Sequence, residues 1–308
     1  MMKWFKKPRS KEKFVTTPTP TFDAFSPFHL SWMIHRNLIP FPTTLGMISG
    51  AEPEEFTEEL RKQLQQWSVI DNTDQLTPDA HDLFRGLYEY DFAYWGVLLL
   101  HNEKEPFQIE MDQELIDIGI GRSISDTPRV YWQVSYSNSI ITVAMRAGDN
   151  LTLNTMPADE GNIYESLARA ILTVLNPNGI WPAAQFTTVK IPLEVVEKIP
   201  THDASGKKHD KSSVVKMMKS ELAKRGVAFD MASRFVKLID AEKLADTEVL
   251  FMPKNKISTS EFFTIEFVHE VGMVLTRTGT DVEGNPAIVQ EGATIGAIAE
   301  ELRKLKAH

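Results

Sequence analysis

From residue 129 to residue 153 the string RVYWQVSYSNSIITVAMRAGDNLTL alternates apolar and polar positions with a period of two, interrupted at Asn138 and at Gly148-Asp149. That pattern predicts three strands joined by tight turns. Val130, Trp132, Val134 and Tyr136 share one face while Arg129, Gln133 and Ser135 take the other, so a sheet covered on one side is expected. Upstream the period lengthens. PEEFTEELRKQLQQW (53–67) repeats Phe56, Leu60, Leu64 and Trp67 at helical spacing, with glutamates in its first turn. LTPDAHDLFRGLYEY (76–90) opens with Thr77 as N-cap and Pro78 at the first helical position, then gives way to the apolar strand AYWGVLLLH (93–101). FHLSWMIHRNL (28–38) reads as a short strand that passes at Ser31, a natural N-cap, into a short helix. GNIYESLARAILTVL (161–175) reads as a helix following the meander.

The second half repeats this order. TVKIPLEVVEKI (188–199) is a short strand running into a helix, with Pro192 in the place of Ser31. VVKMMKSELAKRGV (214–227) and MASRFVKLIDAEKL (231–244) are helices, EVLFMP (248–253) a strand, EFFTIEFVHEVGMVLTRTG (261–279) a hairpin and GATIGAIAEELRKL (292–305) a closing helix. A gap-free overlay sets Arg146 on Arg277, Gly148 on Gly279, Glu160 on Glu291, Gly161 on Gly292 and Ala168 on Ala299. The expected architecture is therefore α/β in the α+β sense: a central antiparallel sheet flanked by helices, in two quasi-symmetric halves from an internal duplication. The first half covers 22–180 and the second 181–308, within one compact globular unit. The polar stretch 200–213 is the most linker-like internal segment.

Composition narrows the function. With 308 residues, 42% hydrophobic and 24% charged, the chain falls in the globular class and is long enough to bury a substantial core. A formal charge of −9 speaks against nucleic acid as a partner, because that binding rests on Lys and Arg neutralising phosphates. There is no cysteine, which removes disulfides, Cys-ligated zinc, iron–sulfur clusters and thiol catalysis. Lys3, Lys6, Lys7 and Arg9 are followed by Lys11, Glu12 and Lys13 where a signal peptide needs an apolar run, so an export signal is not expected. Residues 1–21, basic and then Thr-Pro alternating, read as a flexible tail, either simply solvated or touching an anionic membrane through Trp4 and Phe5. Apolar runs such as GVLLL (96–100) are far below the ~20 residues of a spanning helix, so no membrane span is expected.

Candidate chemistry is sparse. GIGRS (119–123) lacks the full spacing of a nucleotide-binding turn. His269-Glu270 begins like a metalloprotease motif, but no second His follows. His202, Asp203, His209 and Asp210 share one polar loop with no shell to orient them as metal ligands. Ser31 between His29 and His35 lacks a nucleophile elbow, and Asp79, His81 and Asp82 read as the wet face of a helix. The pairs Glu58-Glu59 and Glu300-Glu301 read as solvated charge. No catalytic, cofactor-binding or metal residue is assigned, and no enzymatic activity is expected. The connection 102–128 differs: it is long for a loop, yet carries Phe107, Ile109, Met111, Leu115, Ile116, Ile118 and Ile120. Two readings stand, a partner-binding loop or an edge strand PFQIEMD and a short helix QELIDIGI packed on the core.

The succession of HLSW with LIPFPTTLG, the LTPDAHDLFRGL helix, the hairpin ending MRAGDNLTL, the MPADEG lead into a helix and the VKIPLEVV strand resembles the EspG family. These are the cytosolic chaperones of mycobacterial-type ESX (type VII) secretion systems, and the likeness extends over nearly the whole chain after the tail. The resemblance implies a cytoplasmic, non-enzymatic protein that binds the helical tip of a PE–PPE heterodimer or an equivalent helical substrate, keeping it soluble and export-competent until it meets the secretion machinery. It also implies client contact through the 102–128 loop and through the helices around 214–244 and 292–305. The stretch NPNGIWPAAQF (176–186) departs from the family's Gly/Pro-rich lead-in and leaves the client's identity open. A second function class remains: a non-catalytic scaffold that oligomerises through its sheet edges or the same loop.

Overall fold

The computed structural model describes residues 25–46, 57–101, 129–148, 150–197, 211–254, 261–281 and 283–307. Among them nine strands form one open antiparallel sheet: β1 (Phe92–Leu100), β2 (Arg129–Ser137), β3 (Ile140–Ala147), β4 (Asn150–Pro157), β5 (Val189–Pro192), β6 (Lys243–Pro253), β7 (Phe262–Val268), β8 (Gly272–Thr280) and β9 (Pro286–Gly292). Their spatial order is β4-β3-β2-β1-β6-β7-β8-β9-β5. Two meanders, β1 to β4 and β6 to β9, thus run outward from a central seam where β1 pairs with β6, Tyr94 opposite Phe251 and Leu98 opposite Thr247. The expected class, a central antiparallel sheet flanked by helices, is what the chain adopts.

The seam is closed by a glycine. Gly96 lies in the middle of β1, and a Cβ there would stand 2.1 Å from the Glu248 carbonyl oxygen and 2.8 Å from the Trp132 ring. The bare backbone lets the fully buried Trp132 indole cross β1 and donate its Nε1–H to Thr247 Oγ1 on β6 at 3.0 Å. A residue of each meander is thereby joined over the strand between them. Over the same face lie α4 (Ile163–Leu175) and α8 (Ile295–Ala307), which pack against each other and on both meanders. Leu167, Ile171, Ile298 and Leu302 fill this layer against Tyr94, Trp132, Ile265 and Phe267, the spacing of an apolar helix stripe meeting alternate strand positions. Tyr94 donates its hydroxyl to the Leu302 carbonyl at 2.5 Å, and burial pushes its pKa up, so it remains a donor.

The opposite face carries two separate helical groups. α1 (Pro27–His35), the 3-10 turn Thr43–Leu45, α2 (Thr57–Gln66) and α3 (Pro78–Arg85) bury Leu30, Trp32, Leu60, Leu64 and Phe84 against Ala144 and Leu151 of the first meander. α5 (Leu193–Glu197), α6 (Lys211–Lys224) and α7 (Phe229–Asp240) bury Met218, Leu222, Phe235 and Val236 against β5, and Leu238 meets Val268 and Val274. Covering on both faces corrects the one-sided expectation for β2. Gln133 and Ser135 are 1% exposed, yet they are paired: Gln133 Nε2 donates to the Gly86 carbonyl at 3.1 Å, Thr44 donates to Gln133 Oε1, and Ser135 donates to the Gly86 carbonyl. Period two recorded a change of polarity between faces, and buried hydrogen bonds replaced water on the polar one.

Other boundaries move for local reasons. The segment expected to be a strand before Ser31 is helical from Pro27, because Ser26 caps it and Pro27 presets the first turn. Ser31 is buried inside α1 and Pro192 ends β5, so the two positions are not counterparts. Leu244 belongs to β6 rather than to a helix, β9 was not anticipated, and Gly292 closes that strand instead of opening the last helix. The gap-free overlay also fails in the strands. The β2–β3 turn, Asn138-Ser139 with both φ positive, has one residue fewer than the β7–β8 turn. Tyr136 opposite Ile141 therefore corresponds to Phe267 opposite Met273, and Met145 rather than Arg146 corresponds to Arg277. Arg146 donates to the Leu45 carbonyl on one face, whereas Arg277 meets Glu301 of α8 at 2.9 Å on the other.

The α1 cap contains a buried histidine. The Ser26 N–H and hydroxyl donate to His29 Nδ1 at 3.1 and 2.9 Å, which leaves the proton on Nε2 facing Gln63 Oε1 of α2 at 2.8 Å. Burial lowers the His29 pKa below its ordinary value of 6.5, against the raising effect of those hydrogen bonds.

Two predictions follow from these contacts. Gly96→Ala is expected to cost at least the ~1–3 kcal/mol of an overpacked core, read as a lower urea midpoint, because backbone and indole both stand where the methyl must go. For His29 the unfolded chain takes up a proton before the native one, so its contribution is complete above about pH 6.5 and is lost as pH falls toward the depressed native value. Stability measured from pH 7.5 down to 5 should therefore fall more steeply in the wild type than in His29→Gln.

Candidate partner-binding surface

The seven apolar residues predicted to bind a partner, Phe107, Ile109, Met111, Leu115, Ile116, Ile118 and Ile120, lie outside the described residues. The described residues before and after them are His101, which follows β1, and Arg129, the start of β2. His202, Asp203, His209 and Asp210 likewise lie outside the described residues. The helices implied as client contacts are α6, α7 and α8, of which α8 gives its apolar stripe to the core.

Between the two helical groups the sheet itself comes toward the surface. Among the described residues the first group reaches β2, β3 and β4, the second reaches β5, β8 and the last residue of β7, and the middle strands β1 and β6 are left between them. Trp95 of β1 is opposite Leu250 of β6, and Leu250 is opposite Phe262 of β7, so three large apolar side chains form one cross-strand row. Trp95 and Leu250 are half-buried and Phe262 is 47% exposed. Tyr90, Ala93 and Met252 are buried at one end of the row, and Val97 and Leu99 continue along β1. Toward the other end the character turns acidic: Glu248 is exposed, and Asp246 is held by His101 Nε2 at 2.8 Å. The Trp95 indole N–H is buried and finds no acceptor among the described residues. The row thus presents apolar side chains beside acidic groups.

A second apolar feature sits at the α6–α7 turn. Gly226, with φ of 71°, reverses the chain, and the Val227 N–H donates to the Leu222 carbonyl at 3.1 Å, in a connection of four residues between α6 and α7. Phe229, the first residue of α7, is 84% exposed. Beside it an open cavity of about 1000 Å³ is lined by Lys190, Pro192, Leu193, Arg225, Val227 and Met231. Asp281, also on its wall, is raised by desolvation, but N–H groups of Asn285, Glu283 and Gly284 outweigh this and hold it below the usual carboxylate range.

Among the described residues no three His, Asp or Glu side chains gather to hold a metal ion. His269 and Glu270 occupy the β7–β8 turn, and Asp79, His81 and Asp82 lie on the exposed side of α3. Among the described residues no helix is long and apolar enough to cross a membrane. Trp95, Leu250, Phe262 and Phe229 were not singled out in the sequence. The signal for Trp95 was present: AYWGVLLLH is apolar at both parities, which assigns an apolar residue to each face of β1 whether or not a helix covers it. Phe229→Ser is expected to change folding stability by less than ~0.5 kcal/mol, whereas Phe235→Ala, six residues on and buried, should cost ~3–5 kcal/mol in the same urea titration. No protein-family model matches the chain, and no characterised protein matches it in sequence.

Proposed function

We propose that the protein is a cytosolic chaperone of a type VII (ESX) secretion system, which binds helical PE–PPE-like substrates and keeps them soluble and export-competent. The observation that carries this reading is the Trp95–Leu250–Phe262 row, a large apolar surface set in the middle of the sheet between two helical walls. A helix, about 10 Å across with its side chains, can lay an apolar stripe along such a row. Phe229 at the α6–α7 turn supplies a second anchor on one of the helices that the EspG resemblance implicates. Covering a client's apolar tip would bury roughly 1,200 to 2,000 Å² in total, enough for specific binding that still releases at the secretion machinery. The apolar residues from Phe107 to Ile120 would add to that surface.

Co-expression with a small helical substrate pair encoded beside the gene tests this reading. Wild type should co-purify with the pair, and Phe262→Asp, which places a charge in the apolar row, should lose at least about tenfold in affinity, or ~1.4 kcal/mol, while remaining folded. Replacing Phe107, Ile109 and Met111 with Ser should weaken binding further if the loop takes part. Undiminished capture by both folded variants would reject the surface, and self-association without any substrate would favour the scaffold reading instead.

A further inference from the structure

The strand at the end of the second meander, β5, has a free side, and the hydrogen bonds of the hairpin next to it fix which backbone groups lie there. The Asp281 N–H donates to the Asn285 carbonyl at 2.9 Å and the Ala293 N–H to the Met273 carbonyl at 3.0 Å, so the odd positions of β9 bond to β8 and its even positions face β5. Gln290 and Ile288 therefore bond to Val189 and Ile191, the residues opposite them, and Lys190 turns both its N–H and its C=O away from the sheet. The planar peptide before Val189 sends the Thr188 carbonyl the same way. Among the described residues no strand lies beyond β5, and none of these three groups meets a backbone partner. Pro192 has the same outward parity, so its missing N–H costs the ladder nothing.

The open cavity of about 1000 Å³ beside the α6–α7 turn lies along this free side. It is lined by Thr188, Lys190 and Pro192, the residues of outward parity, and by neither Val189 nor Ile191. Val227 of the turn and Met231 of α7 add apolar walls. An extended residue fills roughly 160 Å³, from a rise of ~3.3 Å, a strand spacing of ~4.8 Å and a layer spacing of ~10 Å, so the cavity has room for about six of them.

We propose that this groove takes an extended peptide segment of a partner protein, which adds to β5 as one further strand. Its N–H groups reach the Thr188 and Lys190 carbonyls, one of its carbonyls takes the Lys190 N–H, and its alternate side chains meet Val227 and Met231. Two features select a single short segment over the edge of another sheet, that of a second copy included. β5 spans four residues and ends in Pro192, which denies a long ladder, and the α6–α7 turn bounds the cavity where the neighbours of such an edge strand would have to stand. This edge takes an extended chain whether or not the furrow on β1, β6 and β7 takes a helix.

Random linear octapeptides displayed on phage and selected against the full chain test it. Binders should emerge, and a resynthesised binder should slow Lys190 amide exchange while leaving Val189 and Ile191, already in the ladder to β9, unchanged. N-methylation of that peptide at alternate residues should split by parity, one set weakening binding by about tenfold or more and the other leaving it within about twofold. Lys190→Pro, which removes an outward donor and no bond to β9, should weaken binding by about tenfold as well, with the Val189 and Ile191 amides still protected. No binder selected, equal effects of the two methylation sets, undiminished binding by Lys190→Pro, or slow Lys190 exchange in the free wild type would overturn the proposal. Slow exchange that sets in only as the free chain self-associates would give the edge to a second copy and overturn it equally.

Discussion

The two meanders meet where β1 pairs with β6, and the close packing at that line requires a residue without a side chain. Gly96 lets the Trp132 indole pass over β1 to the Thr247 hydroxyl, so the two meanders share a buried hydrogen bond as well as a strand ladder. The α4–α8 layer seals the same line from above, with the Tyr94 hydroxyl on the first meander reaching the Leu302 carbonyl of the last helix. One helix from each half makes a single lid. That arrangement commits one face of the sheet to stability. It leaves the other face free to differ, and there two helical groups stand apart over the outer strands.

The separation between those groups leaves apolar side chains between them. A sheet roofed continuously on both faces would have no surface to lend, whereas here Trp95, Leu250 and Phe262 lie in a row between two walls. The row lies on the back of the seam, so its strands carry on their other face the buried residues packed under α4 and α8. Binding energy gained at such a surface is not spent on ordering the backbone beneath it, which is the advantage of a preorganised site.

Much of the architecture was legible because local signals agreed with it. Thr77-Pro78 started α3 where cap and proline both pointed, and the alternation in β2 placed Val130, Trp132, Val134 and Tyr136 together on the α4–α8 face. The errors came where tertiary contacts decided. Gln133 and Ser135 look like a wet face, and only the 3-10 turn and the Gly86 carbonyl, distant in sequence, make that face dry. The Ser26-Pro27 start of α1 was overlooked in favour of Ser31, although Ser-Pro is the better helix opening. The overlay of Arg146 on Arg277 was a coincidence of spacing. One extra residue in a turn put the two guanidinium groups on opposite faces, since a strand changes face with every residue. The surface residues proposed for binding were the least legible, because exposure of Phe262 and Phe229 depends on where helices stop, and no periodicity encodes that.

Photocrosslinking from position 262 during co-expression with a helical secretion substrate addresses the central claim most directly. A photoreactive side chain there should capture the substrate, and one placed on the solvent side of α4, at Arg169 for instance, should not. Crosslinks from the α4 side alone, or none from the furrow while the pair still co-purifies, would contradict the claim that the uncovered middle of the sheet is where the partner binds.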